Sequence, residues 1–406
     1  MERKILHVDV NNAFLSWTAL ERLKNGEKID IREIPAVIGG DENRRAGIVL
    51  AKSMKAKICG ISTGETLYMA RQKCPNLQVF NGDYDKYREY SNKLYKLLLE
   101  YTDKIERYSI DECFLDMTLY LQGREIIDIA NEISKRIYSE LGFTVNIGIA
   151  NNKLLAKMAS DFEKPNKVHT LFENEIENKM WPLPAKELFM LGRKTVPKLF
   201  KMRIKTIGDL ARFDRNILIK KFGKHGNLMW EYANGIDNSE VNYLREKPKG
   251  IGTSITLPLD ICNINKLEEI LLELTEQVCF RLRKENMIAK IVNVQLRTKD
   301  FVDFSHQGKL DFATSLTNEI YKKAKILLNE MYKSGMCIRL IGIRVDKLEN
   351  ENESQMSLFE NNSVTKKQEK LDKTIDELKN KYGYTSIVRG TNVKNKANMR
   401  KSKIIE

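Results

Sequence analysis

Two adjacent carboxylates are the residues of this chain that most directly suggest chemistry. Asp111 and Glu112 follow Ser109-Ile110 and precede the short apolar stretch Cys113-Phe114-Leu115. Adjacent side chains of a strand point to opposite faces, so these carboxylates converge on one site only from a strand end or a turn. Ser109-Ile110 predicts such a turn.

A third carboxylate, Asp9, follows the apolar run Ile5-Leu6-His7-Val8, which predicts a buried strand. Facing Asp111 and Glu112, it would complete an all-oxygen site, and Mg²⁺ prefers oxygen ligands. Two such ions held about 3.5–4 Å apart are the usual clamp for in-line displacement at phosphorus. The pattern therefore indicates phosphoryl or nucleotidyl transfer, although a bare Asp-Glu dipeptide is more often a solvated surface pair.

The surrounding residues favour the catalytic interpretation, because several segments occur together in one order and spacing. They are His7-Val8-Asp9-Val10-Asn11-Asn12-Ala13-Phe14, Gly47-Ile48-Val49 with Ala56-Lys57-Ile58-Cys59-Gly60, Ser109-Ile110-Asp111-Glu112 and Lys164-Pro165-Asn166. In combination they resemble the Y-family translesion DNA polymerases, of the bacterial DNA polymerase IV and UmuC-like kind. The resemblance covers roughly residues 1 to 348 and is strongest in the first 170.

The resemblance implies a low-fidelity, DNA-directed DNA polymerase that extends a primer 3′-hydroxyl with deoxynucleoside triphosphates in DNA damage tolerance. Asp9 and Asp111 would bind or bridge two Mg²⁺ ions, and Glu112 would hold the ion that activates the primer hydroxyl. The carbonyl of Val10 would add a backbone ligand. The residues alone and the resemblance thus lead to the same two-metal site.

Two further roles are implied by position. Phe14 matches the steric gate, a bulky aromatic under the sugar of the incoming nucleotide that would collide with a 2′-hydroxyl. By burial statistics alone it would be a core aromatic. Lys164 matches a lysine that reaches the β- and γ-phosphates, whereas a single lysine is usually a solvated surface residue.

The chain departs from the family pattern at several places. Asn11 stands where an acidic residue is usual, so we do not count it as a ligand. Ala51, Met54 and Lys57 stand where Thr, Tyr and Arg commonly hold the triphosphate. Lys57 keeps the charge without the bidentate fork of Arg, and Met54 cannot donate a hydrogen bond. Lys52 is a candidate to compensate.

Composition favours a polyanionic partner. Lys plus Arg number 69 and Asp plus Glu 55, a net charge of +14 over 406 residues, which favours nucleic acid first and anionic membrane second. No apolar run is long enough for a membrane span, and the start lacks a signal peptide, so we expect a soluble cytoplasmic protein. The six cysteines show no Cys-x-x-Cys pair, which argues against zinc or a disulfide framework and predicts small buried thiols.

The expected fold is multidomain, α/β and α+β, arranged as a right-hand polymerase. The domains implied are a palm at 1–11 and 78–166, small fingers at 12–77, a helical helix-hairpin-helix-type thumb at 167–237, a linker at 238–249, a little finger at 250–348 and a flexible C-terminal tail at 349–406. Hydrophobic periodicity within 250–348 independently predicts a β-α-β-β-α-β unit.

Basic residues of the thumb and little finger are candidates for phosphate contacts. In the thumb these are Lys194 and Lys205, near two turns in which Met190 and Arg203 replace common glycines, so plain helix-packing turns remain an alternative. In the little finger they are Arg297, Lys299, Lys309, Arg339 and Arg344. Each alone is more often a solvated charge, but together they predict DNA binding that weakens with salt.

A short motif follows the little finger. Residues 349–354 are polar and acidic and predict disorder. They lead to a Gln-x-Ser-Leu-Phe segment that resembles the bacterial sliding-clamp binding motif, Gln355, Met356, Ser357, Leu358 and Phe359. Leu371, Ile375, Leu378 and Tyr382 then follow helical spacing with Gly383 as a C-cap.

Primer-template DNA, deoxynucleoside triphosphates and a bacterial sliding clamp are therefore the expected partners of a monomeric enzyme. One alternative is a non-catalytic accessory that binds DNA and clamp, which the three carboxylates Asp9, Asp111 and Glu112 argue against. Another is a two-metal palm enzyme such as a nucleotidyl cyclase, which would leave the basic thumb and the clamp motif unexplained.

Overall fold

Residues 2–41, 45, 47–244, 247–351, 362–384 and 386–390 are described by the computed structural model, with the backbone alone for 362–366. The chain divides into two units, Met1–Gly40 with Ile48–Arg245, and Asp41–Gly47 with Glu246–Glu406. The predicted clamp-binding residues Gln355 to Phe359 lie outside the described residues.

The first unit contains a five-stranded and a three-stranded sheet. Its strands are β1 (Ile5–Val10), β2 (Ala36–Gly39), β3 (Val49–Lys52), β4 (Gln78–Asn81), β5 (Ile105–Arg107), β6 (Glu112–Asp116), β7 (Val145–Ala150) and β8 (Val168–Thr170). Its helices are α1 (Ala13–Lys24), α2 (Met54–Ile58), α3 (Leu67–Lys73), α4 (Tyr84–Leu98), α5 (Ile126–Arg136), α6 (Lys153–Ser160), α7 (Val196–Phe200), α8 (Ile207–Ala211), α9 (Arg215–Phe222) and α10 (Lys224–Ala233).

The strand that carries Asp9 is the centre of the five-stranded sheet, whose order is β5-β6-β1-β7-β8. All six residues of β1 are buried, because helices cover both faces of the sheet. Leu6 and Val8 pack in the core formed with α4 and α5, whereas Ile5 packs with residues of α6. Because side chains alternate along a strand, Asp9 faces α6 as Ile5 does.

Close packing of α6 on the sheet depends on Gly148. A Cβ atom at this position of β7 would lie 1.9 Å from the carbonyl oxygen of Ala156 and 2.5 Å from the backbone nitrogen of Ser160. Since no side chain fits there, glycine permits the helix backbone to lie directly on the strand. Gly148 also pairs with His7 of β1, so the close approach occurs beside the strand that carries Asp9.

The three-stranded sheet has the order β3-β2-β4, with β2 and β4 parallel. Helices α2 and α3 cover it through a small core that includes Val37, Val49 and Leu67. Helix α1 contacts it through Leu15 and Ala19. Strand β4 belongs to this sheet, although it lies just beyond residue 77, where the sequence predicts the fingers to end.

Helices α7 to α10 share the core that lies on the α6 side of the five-stranded sheet. Met190 and Arg203, at positions where the resemblance predicts glycine, both adopt left-handed backbone conformations, with φ of 67° and 63°. Such φ values are unusual for residues other than glycine. The backbone at Met190 and Arg203 therefore adopts a conformation that glycine favours, although neither residue is glycine.

The second unit has the predicted β-α-β-β-α-β order, followed by a further helix. Its elements are β9 (Gly250–Ile261), α11 (Ile264–Lys284), β10 (Met287–Thr298), β11 (Asp303–Thr314), α12 (Thr317–Met331), β12 (Ile338–Asn350) and α13 (Asn362–Tyr382). The sheet order is β11-β10-β12-β9, and α11 and α12 pack on one face. Strand β12 includes Glu349 and Asn350, so the prediction of disorder was wrong for these two residues.

Helix α13 confirms the helical spacing noted in the sequence, but it packs through a polar side. Leu371 and Tyr382 are 52% and 64% exposed, whereas Asp372 and Lys379 are buried. The helix packs in this way because the surface that receives it carries charged partners of its own.

Arg283 of α11 is the main partner. Its guanidinium donates two hydrogen bonds to Asp376, at 2.6 and 2.9 Å, and one to Asp372 at 3.3 Å. Asp372 in turn accepts the backbone N–H of Thr317 at 3.1 Å, at the N-terminus of α12. An acidic side chain is favourable at that end of a helix.

A disulfide joins Cys262 to Cys337, with the two Cα atoms 4.1 Å apart. The prediction of unbridged cysteines was wrong for this pair. They are 75 residues apart, but β9 and β12 are adjacent antiparallel strands, and the pairing of Ile261 with Ile338 brings their neighbours together. Cys74, Cys113 and Cys279 are buried thiols as predicted, whereas Cys59 is half-buried.

Within the described part of the chain, no helix has both the length and the apolar character that a membrane span requires.

Asp376→Asn should loosen α13. The substitution removes the charge that receives two hydrogen bonds from Arg283, and a hydrogen bond to a charged group contributes about 1.5–3 kcal/mol. Amide hydrogens of residues 367–382 should exchange about tenfold faster or more, as measured by hydrogen–deuterium exchange and mass spectrometry. The exposed Glu377 on the same helix gives the control E377Q. Equal exchange in D376N and E377Q would show that Arg283 does not hold the helix.

Candidate active site

The backbone pairing of β1 and β6 brings the predicted carboxylates together. Asp9 and Glu112 are partners across the antiparallel ladder. The backbone N–H of Val10 donates to the carbonyl of Asp111 at 3.0 Å. Because β6 begins at Glu112, Asp111 lies in the preceding bend and its side chain is not bound to strand alternation. The three residues therefore occupy neighbouring positions at one end of two central strands.

The side chains of Asp9, Asp111 and Glu112 do not converge as closely as their backbones do. The carboxylate of Asp111 accepts a hydrogen bond from the hydroxyl of Ser109 at 2.6 Å. Across the described ranges, no group of three or more His, Cys, Asp or Glu side chains is placed to hold a metal ion. The carboxylates therefore need side-chain rotation before all three can share a cation.

Two lysines contact these carboxylates. Lys157 of α6 donates to Glu112 at 2.7 Å and lies 3.4 Å from Asp9. Lys164 lies 3.1 Å from the same oxygen of Asp9. The sequence prediction did not include Lys157. The signal that could have found it is a lysine inside Lys153-Leu154-Leu155-Ala156-Lys157-Met158-Ala159-Ser160, where every residue after the first is buried.

The electrostatics of the cluster follow from burial and crowding. Burial raises the pKa of Glu112, and the neighbouring carboxylates of Asp9 and Asp111 raise it further, against the opposing effect of Lys157. Burial disfavours the charged form of Lys157, but the carboxylates around it outweigh this and raise its pKa above the ordinary value. His7, on the same face of β1, has its pKa lowered by burial and by both lysines.

The chemistry of the donors fits a hard divalent cation. Carboxylate oxygens of Asp9, Asp111 and Glu112, with a backbone carbonyl, are the ligand types that Mg²⁺ prefers. The ammonium of Lys157 already lies against two of the carboxylates, which indicates that a positive charge is favoured there.

Phe14 lies at the start of α1, five residues after Asp9, and is half-buried. Its ring stacks on Tyr87 with centroids 4.6 Å apart and an interplanar angle of 10°. Asn12, with φ of 48°, turns the chain between β1 and α1. Asn11 is engaged in structural hydrogen bonds, donating to Asn146 and accepting from the backbone of residue 166.

The candidate triphosphate residues lie on β3 and α2. Lys52 ends β3 and donates to the hydroxyl of Thr63 at 3.2 Å. Burial lowers the pKa of Lys52, and the charge of nearby Lys57 lowers it further. Met54 is 45% exposed at the start of α2. Lys57 is thus near enough for its charge to act on Lys52, and both are among the three predicted nucleotide-binding lysines.

The candidate DNA contacts are exposed or half-buried. In the first unit, Lys194 and Lys205 are exposed beside the two left-handed turns. In the second unit, Arg297 pairs with Asp303 at 2.7 Å and Arg344 pairs with Asp346 at 2.8 Å.

The remaining candidates of the second unit differ in their surroundings. Arg339 lies over the ring of Phe301, 4.6 Å from its centroid. Lys299, in the turn after β10, and Lys309 of β11 are exposed. The position of Arg344 opposite Asn293 and Gly252 places it on the open face of the sheet, away from α11 and α12.

Comparison with known proteins assigns the chain to a family. The impB/mucB/samB family model matches residues 8–161, and the model of the C-terminal domain of that family matches residues 248–358. A solved Y-family DNA polymerase chimera superposes with a TM-score of 0.74 over 86% of this chain and 99% of its own, at 24% identity, and so shares the fold.

Curated relatives match along nearly the whole length. DNA polymerase IV of Clostridium acetobutylicum is 50% identical, covering 96% of this chain and 98% of the relative. DNA polymerase IV of Acetivibrio thermocellus is 36% identical, covering 96% and 97%. DNA polymerase IV 2 of Bacillus subtilis is 34% identical, covering 97% and 95%. At this identity and coverage, the chain belongs to the Y-family DNA polymerases of the DNA polymerase IV type.

Proposed function

We propose that this chain is a translesion DNA polymerase that extends a primer 3′-hydroxyl on a template strand, using deoxynucleoside triphosphates in DNA damage tolerance. The observation that carries the proposal is the pairing of Asp9 with Glu112 next to Asp111, in a chain of this family. The reaction is nucleotidyl transfer, in which the primer oxygen displaces pyrophosphate from the α-phosphorus.

The three carboxylates would hold the divalent metal ions that polymerases of this family use. We assign them two Mg²⁺ ions, which when bound would lower the pKa of the primer hydroxyl and neutralise charge on the triphosphate. Asp9 and Asp111 would hold both ions, Glu112 the ion on the primer side, and Val10 would contribute its carbonyl. Asp9 is buried and Glu112 half-buried, which strengthens their interaction with cations because water screens such charges less.

The lysines around this cluster position the triphosphate. Lys164 reaches the cluster from the loop after α6 and would contact the β- and γ-phosphates. Lys52 and Lys57 form a second cationic pair that a triphosphate would neutralise. As compact point charges, these lysines bind phosphate without the bidentate geometry of Arg.

Phe14 selects the sugar. Its stacking on Tyr87, which itself is buried, fixes the ring so that it cannot easily turn aside. A 2′-hydroxyl of an incoming ribonucleotide would then collide with a ring that has little room to move.

DNA is held mainly through its phosphates. The contacts we propose are Lys194 and Lys205 of the first unit and Arg297, Lys299, Arg339 and Arg344 of the second. Arg297 and Arg344 would exchange their carboxylate partners for phosphate oxygens, which Arg binds in the same bidentate manner.

We further propose that Gln355, Met356, Ser357, Leu358 and Phe359 bind a bacterial sliding clamp. Apolar side chains in such a motif fill a pocket, and tethering raises the local concentration of the enzyme at the primer end. The enzyme would then work as a monomer on DNA in the cytoplasm.

The catalytic assignment predicts that D111N and E112Q lose primer extension. Each substitution keeps the shape of the side chain but removes the charge that binds the cation, so incorporation should fall below about one thousandth. Binding of primer-template DNA, followed by fluorescence anisotropy, should remain within about twofold. D128N, at an exposed position of α5, is the control. Comparable extension by D111N and D128N would exclude the site.

The gate assignment predicts that F14A inserts ribonucleotides more readily. Loss of the ring removes the collision with the 2′-hydroxyl, so the ratio of ribonucleotide to deoxynucleotide insertion should rise by about tenfold or more. Single-nucleotide insertion kinetics with each substrate measure this ratio. F14Y keeps the ring and should retain the selectivity of the unaltered chain. An unchanged ratio in F14A would reject Phe14 as the gate.

The clamp assignment predicts that L358A/F359A loses stimulation by a sliding clamp while distributive synthesis is unaffected. The two apolar side chains supply most of the contact area that such a motif can bury. Primer extension with and without clamp loaded on circular template measures the stimulation. E353A, outside the motif, should behave as the unaltered chain. Equal stimulation of L358A/F359A and E353A would argue against clamp binding through this segment.

A further inference from the structure

Lys157 has an unusual environment for a lysine. It is 8% exposed, and its ammonium lies 2.7 Å from Glu112, 3.4 Å from Asp9 and 3.5 Å from Asp161. A buried ammonium is costly unless it is paired and hydrogen-bonded. Its three acidic neighbours supply that pairing, and two of them are the carboxylates to which we assign the metal ions.

The packing of α6 determines where this ammonium lies. Gly148 lets the helix backbone lie on β7, and from there the side chain of Lys157 reaches Asp9 of β1 and Glu112 of β6. The ammonium therefore stands between Glu112 and Asp9, where a cation shared by these residues would also lie.

We infer that Lys157 is a positioning residue that acts as the internal cation of the carboxylate cluster. Its ammonium links Glu112 to Asp9, and a divalent ion held by these carboxylates would take that place and leave the ammonium paired with Asp161. This inference rests on the proposed function, since it takes Asp9 and Glu112 as metal ligands.

Asp161 is suited to receive the displaced ammonium. It lies one turn along from Lys157, and its side chain is 47% exposed, so it can move. It also pairs with Lys164 at 2.9 Å, the second lysine that contacts Asp9. Asp161 thus already pairs with both lysines that contact the carboxylate cluster.

The consequence is that the protein weakens its own affinity for metal. A divalent ion must compete with the ammonium for the same carboxylate oxygens. The carboxylates therefore bind metal weakly when no substrate is present. A triphosphate carries its own negative charge to the site and relieves that competition. The two ions would then accumulate mainly when the substrate is present.

The test is binding of Mn²⁺ to the full chain without DNA or nucleotide, followed through the electron paramagnetic resonance of free Mn²⁺. Lys157→Met removes the ammonium and keeps most of the length of the side chain, and its Mn²⁺ affinity should rise at least about tenfold. Lys153→Met is the matched control, because Lys153 lies on the same helix and pairs with Glu106 instead of the cluster. Its Mn²⁺ affinity should not change. An affinity of K157M equal to or below that of K153M would overturn the inference.

Asp161→Asn tests whether the ammonium moves to Asp161. This variant can still refute the inference if K157M fails to fold. Without its second partner the ammonium should stay on Glu112 and Asp9, so Mn²⁺ binding should weaken by about threefold or more. If Asp161 acts through Lys157, D161N should weaken binding less in the K157M background than in the unaltered chain. Equal or stronger Mn²⁺ binding by D161N in the unaltered chain would contradict the exchange.

D111N separates this inference from the proposed function. Loss of Mn²⁺ binding in D111N together with unchanged binding in K157M would leave the catalytic site in place and overturn only the role of Lys157. Unchanged binding in D111N and K157M alike would overturn both.

Discussion

The antiparallel pairing of β1 with β6 is the constraint on which the site depends. It sets Asp9 directly opposite Glu112 and ties the backbone of Val10 to the carbonyl of Asp111. A slip of one residue in this register would turn every side chain of one strand to the other face of the sheet. The register is well specified because Leu6 and Val8 are buried in the core on one side and Ile5 on the other. The hydrophobic core therefore fixes the positions of the carboxylates.

Bringing carboxylates together in a half-buried site creates repulsion that the chain offsets with lysines. Lys157 and Lys164 approach from α6 and the loop after it, and both contact Asp9. The close contact at Gly148 makes this possible, since a Cβ there would lift the helix away from the sheet. A glycine in a strand thus determines where a lysine of the next helix can reach. The contact at Gly148 thus matters for both folding and chemistry, because the core packing that stabilises the sheet also sets the charge of the site.

Much of this organisation could be predicted from the sequence, because its signals are local. The apolar run before Asp9 and the turn before Asp111 lie within a few residues of the side chains they position, and the β-α-β-β-α-β order follows from periodicity. Lys157 could not be predicted in the same way. Its role depends on α6 packing against β1 and β6, which are distant in sequence, and a lysine in an apolar helix gives no indication of its partners.

The errors have the same physical origin. Cys262 and Cys337 are far apart along the chain and meet only because the first and last strands of the β-α-β-β-α-β unit pair. Helix α13 was predicted from an apolar stripe, but its buried side is set by Arg283 and Glu276, residues of another helix. Sequence periodicity shows that a helix forms, whereas the surface that receives it decides which side is buried.

Backbone conformation can persist where the residue that usually supports it is absent. Met190 and Arg203 adopt left-handed φ values that cost free energy for residues with a Cβ, roughly 1–3 kcal/mol each. Such a cost is retained only where the surrounding structure determines the turn, and here the core residues Leu191 and Ile204 follow directly. A hairpin turn can therefore form without glycine. The shape of these two turns is set by the packing of the helices they join.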